Sequence, residues 1–142
     1  MFPEKPEFSV TIPSQTQWLK MVVELTKHIT TLHQFTMAIA EKISLAVDEA
    51  VTNVIKHSYN NEGDNEITIE YFADSEGLKI KIIYTGIPPH FSSQEININR
   101  MIKTKRKGGL GVELMKRIMD SVDYKTINGI NYCELIKWQK TT

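Results

Sequence analysis

The sequence lacks most of the features that assign a function at sight. It has one cysteine, Cys133, so no disulfide can close within the chain. Neither sign of charge predominates, because 17 Lys and Arg balance 17 Asp and Glu. That removes the global basic field that drives non-specific nucleic-acid binding, and makes any anion site a local one. No apolar run approaches the roughly 20 residues of a membrane span, and "MFPEKPEFSV" has neither the basic nor the apolar region of a secretion signal. The four histidines, His28, His33, His57 and His90, do not fall into the His-Glu-x-x-His spacing of a zinc site. There is no internal repeat and no low-complexity segment. The expectation is a cytoplasmic protein with no membrane and no direct nucleic-acid contact. The chain has 142 residues, 41% hydrophobic and 24% charged, which suits one domain over 1–142 with a real core.

What is present is regular patterning. "EFSVTIP" alternates Phe8, Val10 and Ile12 and predicts a strand, after which Ser14 and Gln17 fit a Ser-x-x-Gln capping box. Trp18, Val22, Leu25, Ile29 and Leu32 then recur at helical spacing and predict a buried helix face ending near His33. A second helix is expected from about Thr36 to Tyr59, closed by "YNNEGDN". "EITIEYFA" and "LKIKIIY" alternate as strands joined by "DSEG". From Thr85 to Gly109 no period persists, which is long for a connection in a compact domain and points to a functional or mobile loop. A third helix is expected from about Leu110 to Ser121. Two closing strands flank Asn128-Gly129, a strong hairpin signal. Successive hairpins predict an α/β sandwich (α+β): a single, mainly antiparallel mixed sheet with the helices on one face.

Within the second helix, "AVDEAVTNVIKHSY" places Glu49, Asn53 and His57 four residues apart. They climb along one border of an apolar arc of roughly 140°, beside the core and not in it. Carboxylate and carboxamide oxygens one turn apart suit a hard cation such as Mg²⁺ and an activated hydroxyl or water next to it. The same pattern also describes an ordinary boundary stripe of a half-exposed helix. Asp48 is expected to face solvent.

"KGGLGVELMKRIM" sets Gly108, Gly109 and Gly111 at a helix entrance, where unpaired amides and the helix dipole favour anions. It has neither the Gly-Lys-Ser/Thr ending of a P-loop nor the Gly-x-Gly-x-x-Gly of a dinucleotide fold, and purely structural glycines fit equally well. Just upstream, Arg100, Lys103, Lys105, Arg106 and Lys107 suit a polyphosphate, a nucleic-acid patch or plain solvation. The cluster has no aromatic residues for base stacking.

Taken together, "EAVTNVIKHSY" resembles the N box, Glu-Ala-x-x-Asn-x-x-x-His, and "GGLGVELMKRIMD" the second glycine box, of the GHKL superfamily of Bergerat-fold ATPases. Within it, the chain looks most like the bacterial anti-sigma-factor serine/threonine-protein kinases, over nearly its whole length. The resemblance implies ATP and Mg²⁺ as cofactors, Glu49 as general base and Asn53 as Mg²⁺ ligand. Nucleotide contacts would come from Asn53, His57, Gly86, Lys105, Gly108, Gly109, Leu110, Gly111 and Val112. It implies partners as well: a sigma factor, and an anti-anti-sigma protein of the STAS type as the phosphorylated substrate, so that partner switching controls transcription. Homodimers are usual in that family.

The first glycine box departs from the pattern. In "YTGIPP" Gly86 and Pro88 are kept, but Tyr84 replaces the aspartate that accepts a hydrogen bond from the adenine amine in the family. Losing a charged acceptor costs about 1.5–3 kcal/mol. A second reading therefore stands beside the kinase: an anti-sigma-type binding module of the same fold, with weak or no ATP binding.

Overall fold

The computed structural model describes residues 1–88 and 107–139. In chain order these form β1 (Phe8–Pro13), α1 (Leu19–Leu32), α2 (Met37–Asn53), β2 (Glu66–Ala73), β3 (Gly77–Tyr84), α3 (Lys107–Ile118), β4 (Ser121–Ile127) and β5 (Ile130–Trp138). The five strands make one sheet in the order β1-β2-β3-β5-β4. Every pairing among the described residues is antiparallel. The two tight connections dictate half of that arrangement. Asp74 Oδ1 accepts from the amides of Glu76 and Gly77, closing the β2–β3 turn. Asn128 and Gly129 have φ of 52° and 79°, the paired left-handed geometry of a type I′ hairpin.

Alternation sorts each strand into two faces. On one face Ile12, Ile67, Ile69, Tyr71, Ile80, Ile82 and Leu135 are all at most 2% exposed and pack with Val22, Ile43, Val47 and Val51 of the helices. Burial of each such aliphatic side chain contributes about 1.5–3 kcal/mol. A polar tie crosses this interior, where the Thr26 and Tyr71 hydroxyls lie 2.7 Å apart; burial pushes the Tyr71 phenol up to about 12. On the opposite face Lys81 and Lys125 meet Glu134 at 3.8 and 3.5 Å. Phe72 lies on that outer face but is buried, with the Lys79 ammonium 4.5 Å from its ring centroid. The chain start folds back toward the same region: Phe2 stacks on Trp138, and the terminal ammonium reaches Asp74 at 3.4 Å.

The helix ends differ from expectation in instructive ways. The Ser14–Gln17 capping box does not form. Ser14 is instead held by the turn before β2, its hydroxyl donating to the Glu62 carbonyl and accepting from the Asn65 amide. The first helix opens with a 3₁₀ turn, Thr16–Trp18, without a side-chain cap. Trp18, in that turn, is half exposed, and Leu32, the last residue of α1, is 60% exposed. The buried face is completed by Thr26 and Thr30, whose hydroxyls donate to the carbonyls of Val22 and Thr26 one turn back. The turn between α1 and α2 uses Gln34 at φ 68°, and Thr36 caps α2 by accepting from the Ile39 amide at 3.2 Å. α2 is then α-helical only to Asn53, and residues Val54–Ser58 wind as a π-helix, with Tyr59 N–H donating to Val54 O at 3.0 Å. α3 begins at Lys107 and ends at Ile118, about one turn earlier than the glycines suggest.

Candidate functional site

α2 and α3 pack against each other with the C-terminal end of the first beside the N-terminal end of the second. Gly111 is the contact. A β-carbon at this position would collide with the Glu49 carboxylate and would sit 3.7 Å from Asn53 Nδ2. A residue larger than glycine would push the movable end of the Glu49 side chain aside, while Asn53 stays at ordinary contact distance. Glu49 and Asn53 are each half-buried, and Asn53 Nδ2 is buried with no hydrogen-bond partner among the described residues. A buried amide left unpaired costs about 1–3 kcal/mol. Such a group is unusual in a folded interior and calls for a partner, which a bound ligand or water can supply.

A Mg²⁺-nucleotide fits this set. Mg²⁺ takes hard oxygen donors and is commonly held by one or two protein side chains together with substrate phosphates. Glu49 and Asn53 supply such oxygens, since the carboxamide presents its oxygen and nitrogen in nearly the same place and a half-turn exchanges them. Among the described residues no group of three or more His, Cys, Asp or Glu forms a metal cage. Gly108 and Gly109 lie in the first turn of α3, and the amides of a helix N-terminus suit anions. Leu110 continues that turn. Val112 is 1% exposed, so its side chain belongs to the core.

The first glycine segment lies at the other side of the helix end. Gly86 packs on the Ser58 carbonyl, which accepts from Ile87 N at 2.9 Å, and a β-carbon at Gly86 would strike that carbonyl. Gly86 O accepts from Asn131 Nδ2 at 2.8 Å. The Tyr59 hydroxyl accepts from Thr85 N at 2.8 Å and donates to Glu66 O at 3.0 Å. Tyr84 is 3% exposed, edge-on to Tyr59 with centroids 6.5 Å apart, and its hydroxyl is hydrogen-bonded to Ser58. Burial, reinforced by Cys133, raises its pKa, so it stays a neutral phenol.

The structure thus brings Glu49, Asn53 and Gly111 together and places Gly86 and Tyr84 around the π-turn that follows Asn53. His57 lies in that π-turn and is exposed. Lys105, with Arg100, Lys103 and Arg106, lies outside the described residues. Asp48 is not turned wholly to solvent as expected: it is half-buried, its carboxyl raised by desolvation and partly offset by the Thr52 hydroxyl. Ser58, Tyr59 and Asn131 escaped the sequence reading. Asn131 occupies an ordinary inward position of an alternating strand, and a π-turn has no signature in sequence.

A profile of the histidine kinase-like ATPase domain matches residues 12–137, and the chain belongs to that family. Among its relatives are the serine-protein kinase RsbW of Listeria monocytogenes serotype 4a, 26% identical over 88% of this chain and 83% of that protein. RsbW of Halalkalibacterium halodurans is 28% identical over 89% of this chain and 80% of that one. Of solved structures, a chain of the SiaB–SiaC complex from Pseudomonas aeruginosa superposes with a TM-score of 0.59 at 11% identity, over 94% of this chain and 90% of that chain. The histidine kinase domain of the Erythrobacter litoralis EL346 blue-light activated kinase does so at 0.53 and 14%, over 88% and 60%. These likenesses show the fold that the sequence resemblance implied.

Proposed function

We propose that this protein is an ATP-binding anti-sigma regulator with serine/threonine-protein kinase activity toward an anti-anti-sigma partner of the STAS type. The observation that carries the reading is the contact of Gly111 with Glu49 and the unpaired Asn53 amide. Family membership and the RsbW relatives, named serine-protein kinases, support it. In this reading the Glu49 carboxylate takes the proton from a serine hydroxyl of the partner as that oxygen attacks the terminal phosphorus of ATP; the bond from that phosphorus to the bridging oxygen breaks, and ADP leaves with its electron pair. Asn53 is the side chain that would hold Mg²⁺, and the ion would supply charge neutralisation for the phosphates. Amides of the Gly108–Gly111 turn face the phosphates, and Lys105 contributes charge to nucleotide binding. The 142 residues act as one domain, as a homodimer, in the cytoplasm, with a sigma factor as the second partner.

Titration calorimetry with Mg-ATP and Mg-ADP is the direct test, with micromolar binding expected and lost in Asn53→Ala. Absence of nucleotide binding in the intact chain would sink the kinase and leave the binding module. That module is motivated by Tyr84 alone, and the relatives give it less support. Incubation with Mg-ATP and the cognate partner is expected to yield phosphoserine.

A further inference from the structure

At the end of the α2–α3 pair away from Gly111 lies an open groove of about 760 Å³. Its walls are the turn before α2, the first half of α2, the second half of α3 and the end of β5. Phe35, Ile39, Leu45, Leu114 and Trp138 make it largely apolar. Leu45 and Trp138 are 42% and 41% exposed, more than a finished interior would leave. The charged residues of the lining are all cations: Lys42, Arg117 and Lys137. None of the ion pairs among the described residues involves Lys42. Arg117 is 76% exposed and meets Glu113 only through Nε at 3.8 Å, which leaves the rest of its fork free. Lys137 is engaged, donating to the Ile118 carbonyl at 2.8 Å and lying 3.9 Å from Asp120.

We propose that this groove docks an amphipathic helix of a partner protein, with aliphatic residues inward and acidic residues flanking them. An apolar trough between two helices takes a helix through anchors spaced i, i+3, i+4 and i+7. The cationic rim, with no acidic residue lining it, selects the sign of the flanks and disfavours basic partners. The groove shares no residue with the Glu49–Asn53–Gly111 contact, but it is built on the same two helices. Lys42 precedes Glu49 by two helical turns, about 10 Å. The proposal deepens the regulatory reading by giving a protein partner a place to sit, and its test needs no nucleotide, so the two can fail separately.

The probes are synthetic amphipathic peptides about four helical turns long: one with leucine anchors and Glu flanks, one with the same anchors and Lys flanks, and one with the Glu peptide in scrambled order. The full chain carrying Trp18→Phe leaves Trp138 as the emission reporter. The Glu-flanked peptide is expected to shift Trp138 emission saturably, at least tenfold more tightly than the other two. Lys42→Glu and, separately, Leu45→Asp should each weaken it at least tenfold with circular dichroism and Mg-ATP titration unchanged. Combining Lys42→Glu with Arg117→Glu should transfer the preference to the Lys-flanked peptide. No saturable shift, equal binding of the Lys-flanked or scrambled peptide, or indifference to both single variants overturns the proposal. So does a dimer, by light scattering, that Leu45→Asp dissociates, because a second copy would then fill the groove.

Discussion

At both Gly111 and Gly86 a β-carbon would run into another segment of the chain, but at Gly86 the obstacle is the Ser58 backbone and at Gly111 it is the movable end of the Glu49 side chain. Around Gly86 three polar groups are paired across the fold: Ser58 O with Ile87 N, Gly86 O with Asn131, and the Tyr59 hydroxyl with Thr85 and Glu66. Around Gly111 the glycine meets a carboxylate and an amide with no partner. The first arrangement is hydrogen-bonded on several sides and holds a loop to a sheet. The second is incomplete, which is the condition for binding something else. Close backbone approach by itself therefore does not distinguish the two glycines; the unpaired buried donor beside Gly111 does.

The sharpest way to strain this comparison is at Glu49. Glu49→Gln is expected to lower phosphotransfer by about 10²–10⁴-fold, the usual contribution of a general base, while urea unfolding stays within about 0.5 kcal/mol of the parent. Next come the glycines themselves. Gly111→Ala should weaken Mg-ATP binding more than tenfold by calorimetry, because the methyl displaces the Glu49 carboxylate and fills the space beside Asn53. Its stability should change little, since the roughly 1 kcal/mol gained in helix propensity offsets part of the clash. Gly86→Ala should instead lower unfolding free energy by about 1–3 kcal/mol, because the Ser58 carbonyl is backbone and cannot give way cheaply. A Gly86→Ala protein that keeps full stability and loses ATP would erase the distinction.

The amides give a milder contrast. Asn131→Ala leaves the Gly86 carbonyl and the Thr126 hydroxyl without their partner and should cost about 1–3 kcal/mol. Asn53→Ala removes an amide that is already unpaired, so stability should hold or rise slightly while nucleotide affinity falls.

The smallest effect is alkaline. Burial raises the Cys133 thiol and the Tyr71 phenol each to about 12, from ordinary values of 9.0 and 10.0. The unfolded chain loses these protons first, so above pH 9 the folded state binds more protons and stability falls as pH rises toward 12. The slope is at most about 1.4 kcal/mol per pH unit for each group. Urea titrations at pH 7, 9 and 10.5 should show it, and Cys133→Ala should flatten the part that begins near pH 9.

Much of this was legible along the chain because it is local. Strands Glu66–Ala73 and Ile130–Trp138 follow from alternation, and the Asn128-Gly129 turn from the φ its residues tolerate. Helix ends were less legible where distant groups compete for the same atoms: Ser14 looks like a helix cap and is taken by Glu62 and Asn65 instead. The periodicity of α2 ran on past Asn53, whereas the backbone changes to a π-turn there, with Ser58 O engaged by Ile87 and Ser58 hydrogen-bonded to Tyr84. The motifs containing Glu49, Asn53 and the Gly108–Gly111 turn were readable as candidates, each with a bland alternative. Residue order and spacing determined the elements, their faces and the family. The tertiary structure alone decided that Gly111 meets Glu49 and Asn53, that Asn131 secures Gly86, that Tyr84 is engaged inside the fold, and that an apolar groove opens at the far end of the helix pair. All four depend on contacts between residues far apart in sequence, and periodicity carries no information about such distances.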